Sequence, residues 1–264
     1  MLALPSLLWS EIRRLLAYRW SYRFDTLGEM ALWLVAFPAM MAIFAGVSDR
    51  FDTRQQLASL IGFLVWDLCM SVLSGTTREI AHEAEEGTLE SLFLSPLPPI
   101  QVIFLRVLAA FLVQGMHTLV LGMSLVYILN LPILWSNLAP ALLLFTVAGV
   151  FGLSLALGGL AIVYKQIANV IGAVTLLMVL ATGALIPLDR LGALFRLLRL
   201  LVPTTWGIHA LRAALLEGVT WQVLWQNGTW VGLGTQALLL LGLGAAIFHW
   251  GYQRARSLGI LGSY

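Results

Sequence analysis

Residues 57–77 read Leu-Ala-Ser-Leu-Ile-Gly-Phe-Leu-Val-Trp-Asp-Leu-Cys-Met-Ser-Val-Leu-Ser-Gly-Thr-Thr, and they run directly into residues 78–96, Arg-Glu-Ile-Ala-His-Glu-Ala-Glu-Glu-Gly-Thr-Leu-Glu-Ser-Leu-Phe-Leu-Ser-Pro. The first part holds a single charge, Asp67. A helix crossing the hydrocarbon core of a bilayer needs roughly 20 mostly apolar residues. This run meets that length, and the charged continuation marks where the chain leaves lipid for water.

The rest of the chain follows the same pattern. Of its 264 residues 60% are hydrophobic and 11% charged, and the mean hydropathy is +0.90. A soluble domain carries about 25% charged residues, so this chain lacks the polar surface to cover a globule in water. Six apolar stretches are long enough to span: about 27–47, 57–77, 99–129, 138–164, 167–186 and 228–250. They are continuous rather than alternating, which favours helices over a closed barrel. Small residues are mixed in. Gly149, Gly152 and Ala156 fall on neighbouring turns of the fourth stretch, and Gly228 and Gly232 form a GxxxG at the start of the last. Both are expected to let helices of the same chain approach closely. The expected fold is therefore all-α, a polytopic membrane protein with six transmembrane helices in one domain, 1–264.

Three pieces do not span. Residues 6–25 place Leu8, Ile12, Leu15, Leu16 and Arg19 at helical spacing among Arg13, Arg14 and Arg23. This predicts an amphipathic helix in the inner interface, with Arg13 and Arg14 at anionic headgroups. Residues 187–218 carry an apolar stripe, Leu191, Leu194, Phe195 and Leu198, before Pro203. Thr204 or Thr205 can cap a second helix that stops near Gly218. The two form a re-entrant helical hairpin on the outer side, where His209 and Arg212 share a face and are expected at headgroups. The third piece is the acidic loop, 78–96.

An even number of spans puts both termini on one side, and the arginines of 1–26 and of the tail make that side cytoplasmic by the positive-inside rule. Arg190, Arg196, Arg199 and Arg212 on the opposite side run against the rule. The apolar run Leu2–Trp9 is short, is interrupted by Pro5 and precedes its arginines, unlike a secretory signal.

Several function classes are set aside. The net charge of +2 is small and the basic residues are scattered, which gives nucleic acid no footprint. Cys69 is the sole cysteine, and His82, His117, His209 and His249 are far apart, so no metal or cofactor is expected on this chain. No GxxxxGK[ST] loop occurs, so the chain is not expected to hydrolyse ATP by itself. No GxSxG elbow occurs either.

In the loop, Glu79, Glu83, Glu86 and Glu90 are spaced 4, 3 and 4 apart and would form one acidic face on a continuous helix. Alternatively, the helix breaks at Gly87 and Thr88 caps a second one ending before Pro96. Either form shows acid on one side and Leu89, Leu92 and Phe93 on another. A merely solvated loop does not need those apolar residues, and their presence beside charge predicts a docking surface.

Glu86-Gly87-Thr88-Leu89-Glu90, followed by Leu92 and Ser95-Pro96, resembles the signature loop of ABC-2 type transporter permeases. Ile186-Pro187 and Pro203-Thr-Thr-Trp-Gly-Ile-His-Ala-Leu-Arg-Ala-Ala-Leu-Leu-Glu-Gly218 are similar to that family's outer hairpin, and Arg106 matches a basic residue early in its third span. The resemblance implies the membrane subunit of an ABC exporter in the inner cell membrane. Its loop would be a coupling helix docking on a separate ATPase subunit through Glu83, Glu86, Gly87, Thr88, Leu89, Glu90, Leu92 and Phe93. ATP and Mg would be bound by that partner. A second permease subunit, identical or not, would complete the pathway. Family members export drugs, lipids and polysaccharides, and the apolar spans suit amphipathic or lipid-like cargo.

Isolated charges within the spans have two readings each. Asp67, near the middle of its span, either lines the substrate path or pairs with a polar group on a neighbouring span. Arg106 is expected to snorkel to the inner headgroups. His117 reads as a hydrogen-bonded packing residue. The rival function is an ion-gradient-driven secondary transporter using Asp67, which lacks the support of a repeated half.

Overall fold

The computed structural model describes residues 3–47, 52–85, 99–164, 168–181 and 202–257. Among them the chain is helical: α1 (Ala3–Ser21), α2 (Arg23–Val47), α3 (Thr53–Glu85), α4 (Pro99–Ile128), α5 (Ala139–Tyr164), α6 (Ala168–Ala181), α7 (Pro203–Leu216), α8 (Trp221–Gln226) and α9 (Thr229–Ser257). Five helices are long and apolar enough to cross a membrane, over Arg23–Ile43, Thr53–Ile80, Gln101–Ile128, Ala139–Tyr164 and Thr229–Ser257. The remaining expected span, 167–186, is described only as far as the 14 residues of α6.

The centre of the bundle is α5, which packs against α3, α7 and α9. The α5–α9 pair is the most extensive contact among the described helices, and it is made by glycine. A methyl on Gly244 would come within 2.7 Å of the Gly152 carbonyl carbon, and one on Gly251 within 2.8 Å of that of Gly159. Only the lack of Cβ atoms lets the two backbones touch. Gly149 serves the same end beside Pro203, so Gly149 and Gly152 do pack within the chain. The expected Gly228/Gly232 pair divides. Gly232 lies under the Trp206 ring, whereas Gly228 meets nothing within 4 Å and takes a left-handed φ of 69° at the turn before α9.

Partners 152 and 244, then 159 and 251, both advance seven residues, so α5 and α9 run the same way. The chain must therefore recross the bundle between them. Pro203 lies beside Gly149 in the first half of α5, so α7 starts at the level of the bundle where α5 starts.

Two other neighbouring pairs run antiparallel. Helix α3 runs against α4, with Leu64 beside Gly122 and Glu79 beside Arg106. Helix α2 runs against α3 through tilted and edge-on ring contacts: Trp33 is 4.8 Å from Phe63 and 6.2 Å from Trp66, and Phe37 is 5.0 Å from Phe63. These rings join Met41, Leu57, Leu60, Leu121 and Leu125 in a second core that holds α2 on the bundle.

Two local expectations change. The expected 6–25 helix is split at Tyr22, where α1 ends and α2 begins, and α1 packs lengthwise on α4. The first part of the outer hairpin, 187–201, lies outside the described residues. Its second part is α7, which starts with Pro203 in the first turn after Val202, with no side-chain cap. Thr204 and Thr205 are therefore not caps; both are buried inside that turn. The predicted stop holds: Gly218 takes φ 63°, and the Val219 N–H donates back to the Ala213 carbonyl, closing the helix end.

Candidate functional site

Asp67 sits midway along the Thr53–Ile80 span, facing α4. Its Oδ2 accepts hydrogen bonds from Thr118 Oγ1 at 3.1 Å and Gln114 Nε2 at 3.3 Å. Gln114 and Thr118 are four residues apart and so share a helix face. From the far side the Arg19 guanidinium of α1 donates to Gln114 Oε1. The result is a polar chain, Arg19–Gln114–Asp67–Thr118, across three helices at mid-span. A lone central Asp costs roughly 2.5–3.5 kcal/mol on insertion scales; here donors and a nearby guanidinium offset it. Asp67 thus pairs with polar groups on a neighbouring span. His117 is buried on α4 next to Thr118, but neither ring nitrogen has a hydrogen-bond partner among the described residues, which differs from the expected hydrogen-bonded packing.

A second polar junction lies toward the end where α3 stops and α4 starts. Arg14 Nε is 2.7 Å from Glu11 Oε2, and Arg14 Nη2 is 3.0 Å from Glu79 Oε1. Arg106 Nε is 3.4 Å from Glu11 Oε1, and Arg106 Nη1 is 3.6 Å from Glu79 Oε1. Each arginine touches both carboxylates, and the four residues come from α1, α3 and α4. The Glu11 and Arg106 side chains are only 17% and 21% exposed, while Arg14 is 56% and Glu79 34%. The outer half of the cluster is thus a water-side ion pair, worth about 0.2–1 kcal/mol. The inner half is withdrawn from water, and neither member can lose its partner cheaply. Burial opposes the charge on Arg14, but Glu79 and Glu11 together outweigh it and lift its pKa above the usual arginine value.

The two junctions are in register. From Glu11 to Arg19 is eight residues, and so is the step from Arg106 to Gln114. Helices α1 and α4 therefore run side by side in one direction over about 12 Å, at 1.5 Å per residue.

The expected site residues are placed unevenly. Glu86, Gly87, Thr88, Leu89, Glu90, Leu92 and Phe93 lie outside the described residues. Glu83 falls within the last turns of α3. Arg13 is exposed, as is His209. Arg14 and Arg106, expected at headgroups, are engaged with the two glutamates. Arg212 turns into the bundle and donates from Nε to the Ala58 carbonyl at 2.8 Å, tying α7 to α3. Sequence reasoning missed the roles of Glu11, Arg19, Gln114 and Thr118. The available signal was Gln114 and Thr118, a polar i, i+4 pair in an apolar stretch; nothing local could match Glu11 to Arg106. No group of three or more His, Cys, Asp or Glu capable of holding a metal occurs among the described residues.

No curated protein matches the chain significantly. A comparison with known families matches residues 6–216, most of the chain and every junction described above, to a single description. Together with the all-helical bundle of long apolar helices, that match shows that the chain belongs to the ABC-2 type transporter family.

Proposed function

We propose that this membrane subunit of an ABC transporter is an export permease, driven by ATP hydrolysed in a separate ATPase subunit that docks on residues 78–96. The observation that carries the reading is the family match over 6–216, which spans the signature-like loop and the helices on either side of it. The loop's glutamates and its Leu89, Leu92 and Phe93 are of the kinds that supply the charge complementarity and apolar anchors that docking needs. The end of the bundle carrying the loop faces the cytoplasm of the inner membrane, together with both termini. A second permease subunit, identical or not, completes the pathway. The cargo is amphipathic or lipid-like, in keeping with spans that present Leu, Met and aromatic side chains outward, such as Phe104, Leu112, Met116 and Tyr127.

Co-expression with candidate ATPase subunits tests the reading. An ATPase is expected to co-purify, and Glu90→Arg with Leu92→Arg is expected to abolish assembly and coupled ATP turnover. Assembly that survives both substitutions overturns the docking assignment. The same preparation addresses the rival ion-gradient mechanism, which is favoured by Asp67 lying at mid-span. That mechanism requires transport without ATP, and loss of it in Asp67→Asn.

A further inference from the structure

We propose that the connection between α4 and α5, residues 129–138, is a lipid site: its outward side chains sit in the bilayer interface, and the groove between it and the end of α4 takes one acyl chain of a membrane lipid. The site lies at the end of the bundle opposite residues 78–96. It rests on the chain crossing a membrane, and not on export or on an ATPase.

From Val107 to Tyr164 the sequence holds no Asp, Glu, Lys or Arg, the connection included. A turn in water carries polar side chains; this one reads Leu129-Asn-Leu-Pro-Ile-Leu-Trp-Ser-Asn-Leu138. Leu131 turns in to the core that holds α2, and Leu129 and Leu134 pack against it. Ile133 and Trp135 turn out, 70% and 83% exposed, as does Tyr127 in the last turn of α4, 83% exposed. They prolong a stripe on α4, Leu112, Met116, Leu119 and Met123, exposed at helical spacing. The lipid-facing surface of the span thus continues onto the connection.

The backbone suits that place. Asn130 takes a left-handed φ of 51°, its N–H donates to the Tyr127 carbonyl at 3.3 Å, and the Leu131 N–H reaches the Val126 carbonyl at 3.0 Å. This double closure uses carbonyls that a helix end otherwise leaves open. Pro132 has no N–H to satisfy. At the other end the Leu138 N–H donates to Ser136 Oγ at 3.3 Å, and the Ala139 N–H to the Ser136 carbonyl at 3.1 Å. The Trp135 indole N–H donates to Asn137 Oδ1 at 2.9 Å. Residues 132–135 between these closures are irregular backbone, which the hydrocarbon core does not admit, so the level is the interface. A second pair of exposed rings marks the same end. Trp221 and Trp225 are four apart on α8 and share a face. Trp221 is 4.2 Å from Trp230 at the start of α9, which is 5.6 Å from Phe145 in the second turn of α5. Amphipathic rings on two connections at one end make an aromatic belt of the kind found at membrane–water boundaries.

The groove has a volume of about 350 Å³ and is lined by Met123, Val126, Tyr127, Asn130, Leu131 and Ile133. Ligand clefts run from about 300 to 1,000 Å³, so it holds a slender ligand. Its lining is apolar or aromatic except for Asn130, and none of it is charged. A hydrocarbon chain fits such walls, and the exposed Asn130 amide offers a donor and an acceptor to the polar end of the same lipid. Because the groove continues the lipid-facing stripe of α4, the bilayer reaches it without any protein partner.

The experiment uses the full chain in phospholipid vesicles, in a Cys69→Ser background. A fluorescent label is attached at Ile133→Cys or Trp135→Cys, with Arg54→Cys as the water-side control and Leu112→Cys as the deep one. Quenchers are aqueous iodide, lipid with a nitroxide near the headgroup, and lipid with a nitroxide near the chain end. Labels at 133 and 135 are expected to answer most to the nitroxide near the headgroup, the label at 54 to iodide and the label at 112 to the chain-end nitroxide. A phospholipid with a photoreactive group on its acyl chain is then expected to crosslink within 123–133. Met123→Trp, which fills the groove, is expected to lose that crosslink while the labels at 133 and 135 keep their depth. Should Met123→Trp fail to fold, Ile133→Asn at an exposed position takes its place, with the same loss expected. Iodide quenching at 133 and 135 equal to that at 54 overturns the interfacial placement. An undiminished crosslink in the filled groove overturns the acyl-chain site, and so does an Ile133→Cys disulfide between two copies of the chain without lipid quenching. Failure of any ATPase to co-purify leaves this inference standing and sinks the proposed function instead.

Discussion

Replacing Gly244 by alanine adds one methyl where α9 crosses the Gly152 backbone. The new carbon would sit within 2.7 Å of the Gly152 carbonyl carbon and 3.0 Å of its Cα, with the carbonyl oxygen closer still. Carbon–carbon contacts settle at about 3.5–4.0 Å, so α9 must retreat from α5 by on the order of 1 Å. The obstacle is backbone, not the tip of a flexible side chain, and no rotamer change relieves it. Overpacking of this kind costs about 1–3 kcal/mol. Alanine also improves helix propensity over glycine, by up to about 1 kcal/mol, which would mask part of the strain. Gly242→Ala provides the correction, since it lies two residues away on the same helix with nothing within 4 Å of its Cβ position. The difference between the two variants isolates the clash. In a reversible detergent-unfolding titration, Gly244→Ala is expected to be less stable than Gly242→Ala by about 1–3 kcal/mol. If the two agree within the error of the titration, the close α5–α9 crossing is wrong, and with it the parallel register of the two helices.

Asp67→Asn keeps an acceptor for Gln114 and Thr118 and should leave unfolding stability nearly unchanged, whereas Asp67→Leu strands both donors and should cost about 1–3 kcal/mol in the same titration. Phe63, fully buried between Trp33, Phe37 and Trp66, is expected to cost about 3–5 kcal/mol as Phe63→Ala, with tryptophan fluorescence reporting the loosening of α2. The Arg54–Glu217 pair is 65% and 55% exposed, so Arg54→Ala should change stability by less than about 1 kcal/mol. Whatever difference remains should fade in high salt.

The sequence by itself determined the solvent and the kind of element. Long continuous apolar runs have one stable form in lipid, the helix, because every backbone N–H and C=O must then be satisfied within its own segment. Composition and run length are local properties, so the stretches 27–47, 57–77, 99–129, 138–164 and 228–250 were legible as spans without any knowledge of their neighbours, and each overlaps a helix long and apolar enough to cross a membrane. The loop's acidic and apolar residues resemble a family signature, but 86–96 lie outside the described residues.

Pairing was not legible, because it depends on which faces meet after folding. Gly152, Gly159, Gly244 and Gly251 became a crossing only when α5 and α9 were laid in parallel, and the expected Gly228/Gly232 pair divided because Gly228 takes a left-handed φ in a turn. The charges show the same division. Arg14 and Arg106 read singly as headgroup-seeking side chains, since a lone arginine near a helix end snorkels. The tertiary structure sets Glu11 and Glu79 at their level, 68 residues apart in the chain, and a nearby carboxylate on a neighbouring helix holds a guanidinium that would otherwise reach for lipid.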